Sequence, residues 1–403
     1  MTSNTPVLIG PLPPPVHGSS VVTQDLFEIM GRHGPSEVVD SAASRHLTSI
    51  GKLHAKGVLR SLRTIAAVAR ILRDRRRVVY LAPSQIGPAL VRDLALWMIA
   101  ATRTERLYIH VHGCGFHRLG TSGPLLRRFL VRRLGRRTHF ILLSERYHAL
   151  FLTGFPSVSQ VHYLPNAISP AAERIIAKQS VSTGNGSVVR LLYIGAISRV
   201  KILDGLEAIV KSTSIVEALK RVGKQLEITI AGELRGRPAQ QQIDRLLAEA
   251  TDPIGVSYIG GVFDLERKGR LFASADCFIC PTVHPTEGLP VTLIEALCAS
   301  TPIIAFDTGL CGDAVDDSNG WLVRSGNMEA LQESVIGLIA CHAENGLQGR
   351  RVASRRLFES RFTHELFEER ACRILRVHAG PEQSPPQSLR PRSSSLISRI
   401  PRE

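Results

Sequence analysis

Pro281–Ala299, PTVHPTEGLPVTLIEALCA, sets two carboxylates, Glu287 and Glu295, around a tight turn into a helix. The apolar run before it, Cys277–Cys280 (CFIC), reads as a buried parallel strand. Gly288 frees the backbone to turn, and Pro290 suits the first helical position, where a missing N–H costs nothing. The amides of Gly288 and Leu289, and those of the first helical turn from Val291 onward, then point outward unpaired. That makes an anion site at the positive end of a helix dipole. Glu287 lies at its mouth, and Glu295 about a turn and a half into the helix. Amides for a negative group and carboxylates for hydroxyls suit a ligand with phosphates, a ribose and a sugar. Any Gly-Leu-Pro turn before a helix with two Glu shares this spacing, so the assignment rests on what surrounds it.

Outward from that stretch, strand and helix alternate twice over. Pro6–Ile9 reads as a first strand, followed by GPLPPPVHGSS and a helix from about Val21 to Gly31. Val78–Leu81, Leu107–Val111 and Phe140–Leu143 are further buried strands. Periodicity is lost over Asn166–Gly186, which ends in Ser-Val-Ser-Thr-Gly-Asn-Gly-Ser, a flexible connector. A second series follows: Val188–Ile194, Leu226–Ala231, Val256–Ile259, Cys277–Cys280, Pro302–Phe306 and Gly320–Val323. The pattern predicts an α/β protein of two Rossmann-like, doubly wound parallel sheets with a cleft at the carboxyl ends of the strands. The expected divisions are a first domain over 1–170, a linker over 171–187, a second domain over 188–350, an Arg-rich helix over 351–378 and a disordered Pro/Ser/Arg-rich tail over 379–403.

Length agrees, since 403 residues suit two cores better than one. The formal net charge of +15 points to an anionic partner: nucleotide phosphates, a membrane surface or nucleic acid. Arg45 to Arg77 holds ten Lys and Arg against one acid, Asp74, with apolar residues at helical spacing (Leu59, Leu62, Ile65, Val68, Leu72). A second basic run covers Arg127 to Arg137. Basic helices with one apolar face can lie on anionic lipid, or they are solvated faces of packed helices. Nucleic acid is disfavoured, because 5% aromatics give no stacking platform and no recognition motif is present. Ala89–Ala101 is broken by Arg92 and Asp93 and too short to cross a membrane. The N-terminus lacks a secretory signal, and seven scattered cysteines argue for reduced thiols, so a cytoplasmic setting is expected. Cys277 and Cys280 form a lone CxxC and read as core, not zinc.

EGLPVTLIEA resembles the E-x7-E segment of the retaining, family-4 glycosyltransferases of the GT-B fold, and the chain from about Pro6 to Val377 follows that family's order of landmarks. In Leu107-Tyr-Ile-His110-Val-His112-Gly-Cys-Gly115, the two histidines point to one side of a strand. His112 matches the His-Gly that such enzymes carry beside the transferred sugar, whereas His110 reads as core. Gly18, in GPLPPPVHGSS, resembles the N-terminal glycine loop near the donor diphosphate, with His17 at the first glycine position. Tyr193-Ile-Gly195-Ala-Ile-Ser-Arg199-Val-Lys201 resembles the segment that opens the donor domain. Lys201 fits the family's lysine. Ala196 stands where its arginine is usual, and Arg199 is the substitute three residues along. Asn166, in Pro165-Asn166-Ala-Ile, is structural, and Gly309–Val315 (GLCGDAV) receives no catalytic role.

The resemblance implies transfer of a sugar from a nucleotide-diphosphate sugar to a hydroxyl acceptor, saccharide or lipid-linked, with retention and without metal or other cofactor. His112, Glu287, Lys201 and Arg199 would be the catalytic set. Gly18, Gly195, Gly288, Leu289, Pro290, Val291 and Glu295 would bind the donor, Glu295 through the ribose. The helix over 351–378 would cross back to the first domain, and the enzyme would work in the cytoplasm, peripheral on the inner membrane face, in surface polysaccharide or glycolipid synthesis. A nucleotide-sugar 2-epimerase of the same fold and a non-catalytic, membrane-associated sugar-nucleotide binder are the alternatives.

Overall fold

The computed structural model describes residues 5–14, 18–42, 55–73, 77–85, 87–179, 186–375 and 397–400. The chain divides into two compact units, Met1–Pro165 with Glu365–Glu403, and Asn166–His364.

The first unit carries β1 (Val7–Gly10), β2 (Ser36–Asp40), β3 (Val78–Leu81), β4 (Arg106–Val111), β5 (His139–Leu142) and β6 (Val161–Tyr163). They lie side by side in the order β2-β1-β3-β4-β5-β6, every pair parallel. The inner strands are short runs of Val, Leu, Ile, Tyr and Phe with almost every residue buried, as expected for strands covered on both faces. The order turns back between β1 and β3, the switch point of a doubly wound sheet. β2 and β6 escape the sequence pattern. Ser36–Asp40 has two apolar residues, its Glu37 being held by Arg77 at 3.0 Å, and β6 has three residues in all.

The second unit holds β7 (Val188–Ile194), β8 (Gln225–Ala231), β9 (Ile254–Tyr258), β10 (Cys277–Cys280), β11 (Ile303–Asp307) and β12 (Gly320–Arg324). Their order is β12-β11-β10-β7-β8-β9, again all parallel, with the switch point between β10 and β7. The core is built by Val189, Leu191, Ile228, Ile230, Ile279, Ile304 and the inward residues of the covering helices. Cys277 and Cys280 belong to this core, and burial pushes the Cys277 thiol well above its usual range.

Three expected divisions are drawn differently. The stretch expected as a linker carries the helix Pro170–Ala177, started by Ser169, whose side chain accepts from the amide of Ala172, with Pro170 in the first turn. Its Glu173 Oε2 accepts from the amide of His364 at 3.1 Å, inside the second unit. Residues 180–185 of the same stretch lie outside the described residues. The Arg-rich helix is two helices, Leu347–Arg361 and His364–Leu375, and the return to the first unit comes at Glu365. There Glu368 meets Arg32 at 2.7 Å and His33 at 3.3 Å. In the expected tail, β13 (Ile397–Ile400) pairs antiparallel with β2, Ile397 opposite Val39. The rest of that tail lies outside the described residues.

No helix among the described residues is long and apolar enough to cross a membrane. The segment Ala89–Ala101 lies in the helix Pro88–Arg103. Its interrupting charges are buried as a pair there, Arg92 Nη2 to Asp93 Oδ1 at 2.7 Å, and Asp93 Oδ2 also accepts from the amide of Ser84 at 2.8 Å.

Candidate functional site

In the second unit, the loops following β7 and β10 flank the switch point, where α/β sheets bind ligands. After β7 the chain leaves through Gly195, whose amide donates to Ala231 O at 3.0 Å. Gly232 (φ +148°) is pressed against it: a Cβ there would stand 1.7 Å from Gly195 O. Tyr193 Oη then donates to Ala196 O at 2.7 Å. Residues Arg199–Leu203 make a single π-helical turn, in which the amides of Lys201, Ile202 and Leu203 converge on Ser198 O. Such turns recur at functional sites. Ile202 and Leu203 are buried, which fixes Lys201 between them and the solvent.

The loop after β10 is tied to that turn by the amide of Val283 on Val200 O, 2.8 Å. Lys201 Nζ hydrogen-bonds Glu287 Oε2, and Thr282 Oγ1 donates to the same oxygen at 2.7 Å. Thr282 is fully buried, so this carboxylate is held by a fixed hydroxyl as well as by a charge. His284 stands beside both. Burial first, and the charge of Lys201 second, hold its imidazole below the ordinary value, which keeps it neutral. Gly309, after β11, approaches Glu287 so closely that a Cβ would lie 2.1 Å from Glu287 O, and its φ of +60° is one that only glycine adopts cheaply. The sequence reading gave this GLCGDAV segment no catalytic role, and none is needed. Its first glycine shapes the turn.

The turn itself differs from expectation by one residue. The helix spans Val291–Cys298, and Pro290 (φ −61°, ψ 128°) is the capping residue before it, not its first position. The consequence for the amides is as expected. Among the described residues, those of Gly288, Leu289, Val291 and Thr292 donate to no protein acceptor. Asn166, expected to be structural, donates from Nδ2 to Leu289 O at 2.7 Å and so pins this turn.

Glu295 is 5% exposed on the second turn of that helix. Lys268, from the helix Leu265–Ser274, donates to Glu295 Oε1 at 2.9 Å, while Glu295 Oε2 is buried with no partner among the described residues. Both motif glutamates are therefore built alike. One oxygen is pinned by a lysine and the other is left open to a donor. Sequence reasoning missed Lys268, Thr282 and His284. The latter two stand in the stretch that drew attention to the site, but Lys268 is 27 positions from its partner.

The structure does not bring Arg199 to this cluster. Its side chain is 79% exposed and paired with Asp204, Nε to Oδ1 at 3.0 Å. In the first unit, Gly18 opens the helix Gly18–His33, and His17 lies outside the described residues. His112 follows the carboxyl end of β4, half-buried, its ring centroid 4.1 Å from that of His110. His110 is core as expected: fully buried, Nδ1 2.8 Å from Tyr80 Oη, and held well below its ordinary value by desolvation and then by His112.

Residues 189–341, the strands and helices that build this cluster, match a family model described as Glycosyl transferases group 1. The GDP-mannose-dependent alpha-(1-6)-phosphatidylinositol monomannoside mannosyltransferase of Mycobacterium tuberculosis is 23% identical over 249 residues, 58% of this chain and 60% of that protein. The chain thus spans less than two thirds of that relative. The GDP-mannose-dependent monoacylated alpha-(1-6)-phosphatidylinositol monomannoside mannosyltransferase of Corynebacterium glutamicum is 23% identical over 323 residues, 77% of this chain and 80% of that one. Among solved structures, sucrose-phosphate synthase from Thermosynechococcus elongatus superposes with a TM-score of 0.67 at 15% identity, covering 92% of this chain and 98% of its own. HepE from Anabaena, in complex with UDP and glucose, superposes with a TM-score of 0.62 at 16% identity, covering 92% and 99%. At such identities the structures share the fold. Residues 189–341 are thus similar to glycosyl transferases group 1, and the chain has a GT-B fold.

Proposed function

We propose that the chain transfers a hexose from a nucleoside-diphosphate sugar to a hydroxyl acceptor with retention of anomeric configuration. One observation carries the reading: Glu287 and Glu295 are each fixed by a lysine through one oxygen, with the other oxygen open, beside four amides that have no protein acceptor. The diphosphate sits on the amides of Gly288, Leu289, Val291 and Thr292 at the positive helix end, with Lys201 against it. Glu295 Oε2 accepts from the ribose, which satisfies an atom that is costly to leave buried and unpaired. Negative charge develops on the leaving phosphate, and Lys201 with the amides stabilises it. The loss of one such donor typically costs about 2.7–4 kcal/mol of transition-state stabilisation. Glu287 contacts the sugar as its anomeric centre gains positive charge. His112 hydrogen-bonds the sugar hydroxyls, and Gly18 and Gly195 allow close backbone approach. No divalent metal enters this scheme, so turnover is expected to survive chelation by EDTA.

The relatives named for glycolipid mannosyl transfer support a lipid-linked acceptor, and with it work in the cytoplasm at an inner membrane face. The base is decided by thermal shift with UDP, GDP, ADP and CMP. A ligand at ~100 times its dissociation constant adds about 2.7 kcal/mol. Stabilisation by one diphosphate, lost in Glu295→Ala, supports the assignment, and no response to any nucleotide sinks it.

A second reading, a sugar-nucleotide binder without turnover, is favoured by Arg199. The residue meant to replace the arginine absent at Ala196 is tied to Asp204 at the surface. Acceptor-dependent release of nucleoside diphosphate excludes that reading.

A further inference from the structure

Fifteen large apolar side chains are exposed among the described residues, and nine of them lie on three helices of the first unit, Ala55–Ile71, Pro88–Arg103 and Leu125–Gly135. The first packs on the second and the second on the third, so they form one face. On the third helix, Leu125 (76% exposed), Leu126 (70%), Phe129 (63%) and Leu130 occupy one stripe, with Val131 and Gly135 buried behind. The apolar residues spaced along the first helix and just past its end divide between core and surface. Val68 and Leu72 there go into the core, while Leu59 and Leu62 stay outside.

Charge accompanies the apolar stripe. Arg127 and Arg128 hydrogen-bond Ser122 O and Gly120 O, anchoring the start of the helix. Arg133, Arg136 and Arg137 are exposed at its end. None of these five pairs with a carboxylate among the described residues, and the 125–135 helix contains no acid. An ordinary solvated helix face interleaves both signs.

We infer that this face docks on an anionic lipid bilayer, with Leu125, Leu126 and Phe129 entering the headgroup–acyl boundary and Arg133, Arg136 and Arg137 on the lipid phosphates. A bilayer surface offers both layers within the ~5–10 Å that an interfacial helix reaches. A second copy of the chain would set arginine against arginine. A nucleic acid would use the arginines and leave the leucines wet. The inference deepens the proposed function by giving its membrane placement a surface, and it is read without donor or turnover. The two therefore fail separately.

The test is flotation of the full chain with phosphatidylcholine vesicles, with and without phosphatidylglycerol, together with the emission of Phe129→Trp, a conservative change at an exposed site. Wild type floats with the anionic vesicles only, and the tryptophan emission shifts to the blue when they are added. Arg133→Gln/Arg136→Gln/Arg137→Gln lowers the partition coefficient by about 10²-fold at low salt, from three phosphate contacts. Phe129→Glu lowers it ~10-fold or more and removes the part that resists salt. Each variant keeps the wild-type melting temperature, and Leu247→Glu, an exposed site on the second unit, floats as wild type does. No flotation at low salt overturns the inference. So does flotation with an unshifted tryptophan, or binding of RNA that is stronger than binding of vesicles and indifferent to Phe129→Glu.

Discussion

The E-x7-E turn of the second unit and the 125–137 stretch of the first treat positive charge in opposite ways. In the second, Lys201, Lys268 and Arg199 each meet a carboxylate, and the first two do so half-buried around the E-x7-E turn. In the first, Arg133, Arg136 and Arg137 at the end of the 125–135 helix are exposed and meet no carboxylate among the described residues. Paired charge costs little in the free protein and holds side chains in one geometry, which a site for a small, multiply charged ligand requires. Unpaired surface charge is fully hydrated and mobile, and acts at a distance through the field it makes. On the readings proposed above, one unit positions a ligand and the other meets a surface. The same excess of Lys and Arg serves both.

The sharpest way to break the positioning half is Gly309→Val. Its Cβ would stand 2.1 Å from Glu287 O, at a φ that β-branched residues avoid. Expected are a loss of at least ~2 kcal/mol in stability by thermal melting and the loss of any nucleotide-induced shift. Gly349→Ala is the counterpart. Nothing lies within 4 Å of that position in the helix Leu347–Arg361, so a gain approaching ~1 kcal/mol is expected. An unchanged nucleotide response in Gly309→Val would show that the turn's geometry does not matter to binding.

Next comes the lysine–glutamate pairing itself. Lys201→Ala removes a phosphate partner and leaves Glu287 on Thr282 alone, so kcat/KM should fall about 10²–10³-fold. Lys268→Met should be milder and different in kind. It frees Glu295, which on the proposed reading binds the ribose equally in ground and transition states, so KM should rise ~10-fold with kcat unchanged. Equal falls in kcat for both variants would refute the separate roles given to the two pairs.

How much of this was legible in the sequence follows the length scale of each signal. The ten strands found by pattern are runs of Val, Ile, Leu and Phe whose burial on both faces is a local property. β2, with Glu37 and Asp40 among five residues, and β6, with three, carry too little apolar sequence to register. The helix Pro170–Ala177 has a start signal, Ser-Pro with Glu173 following, but its surroundings of Ser, Thr and Gly outweighed it. Glu287 and Glu295 were readable together because one strand–turn–helix carries both over a few residues, and Lys201 meets Glu287 from the loop after β7. Lys268 and Gly309 were missed because their meaning lies in contacts across the sheet, with Glu295 and Glu287, that spacing along the chain does not encode. Arg199 shows the converse. Its place three residues past Ala196 suggested a substitute for the family's arginine, and five residues on, Asp204 captured it.

The smallest effect concerns a histidine on which the contrast between units can be tested by pH. Burial holds His110 well below its ordinary value of 6.5, so the unfolded chain binds the proton first as pH falls. Stability from this group is complete above about pH 6.5 and is lost as pH drops below it, at no more than about 1.4 kcal/mol per pH unit. Asp25, in the same unit, acts with the opposite sign. Burial, with Glu28 adding to it, raises its carboxyl to about 7, so the folded state holds the proton and stability is lost as pH rises from about 4 toward 7. The two slopes oppose each other in the wild type. Asp25→Asn should therefore steepen the fall in melting temperature between pH 7 and pH 5, and His110→Phe should flatten or invert it. In the second unit His284 lies half-buried beside Lys201 and is also held low, so on the proposed reading acid should strengthen nucleotide binding there, a protonated imidazole adding positive charge near the diphosphate. If His110→Phe leaves the pH dependence of melting untouched while His284→Asn flattens it, the buried histidine that governs acid stability belongs to the site and not to the core of β4.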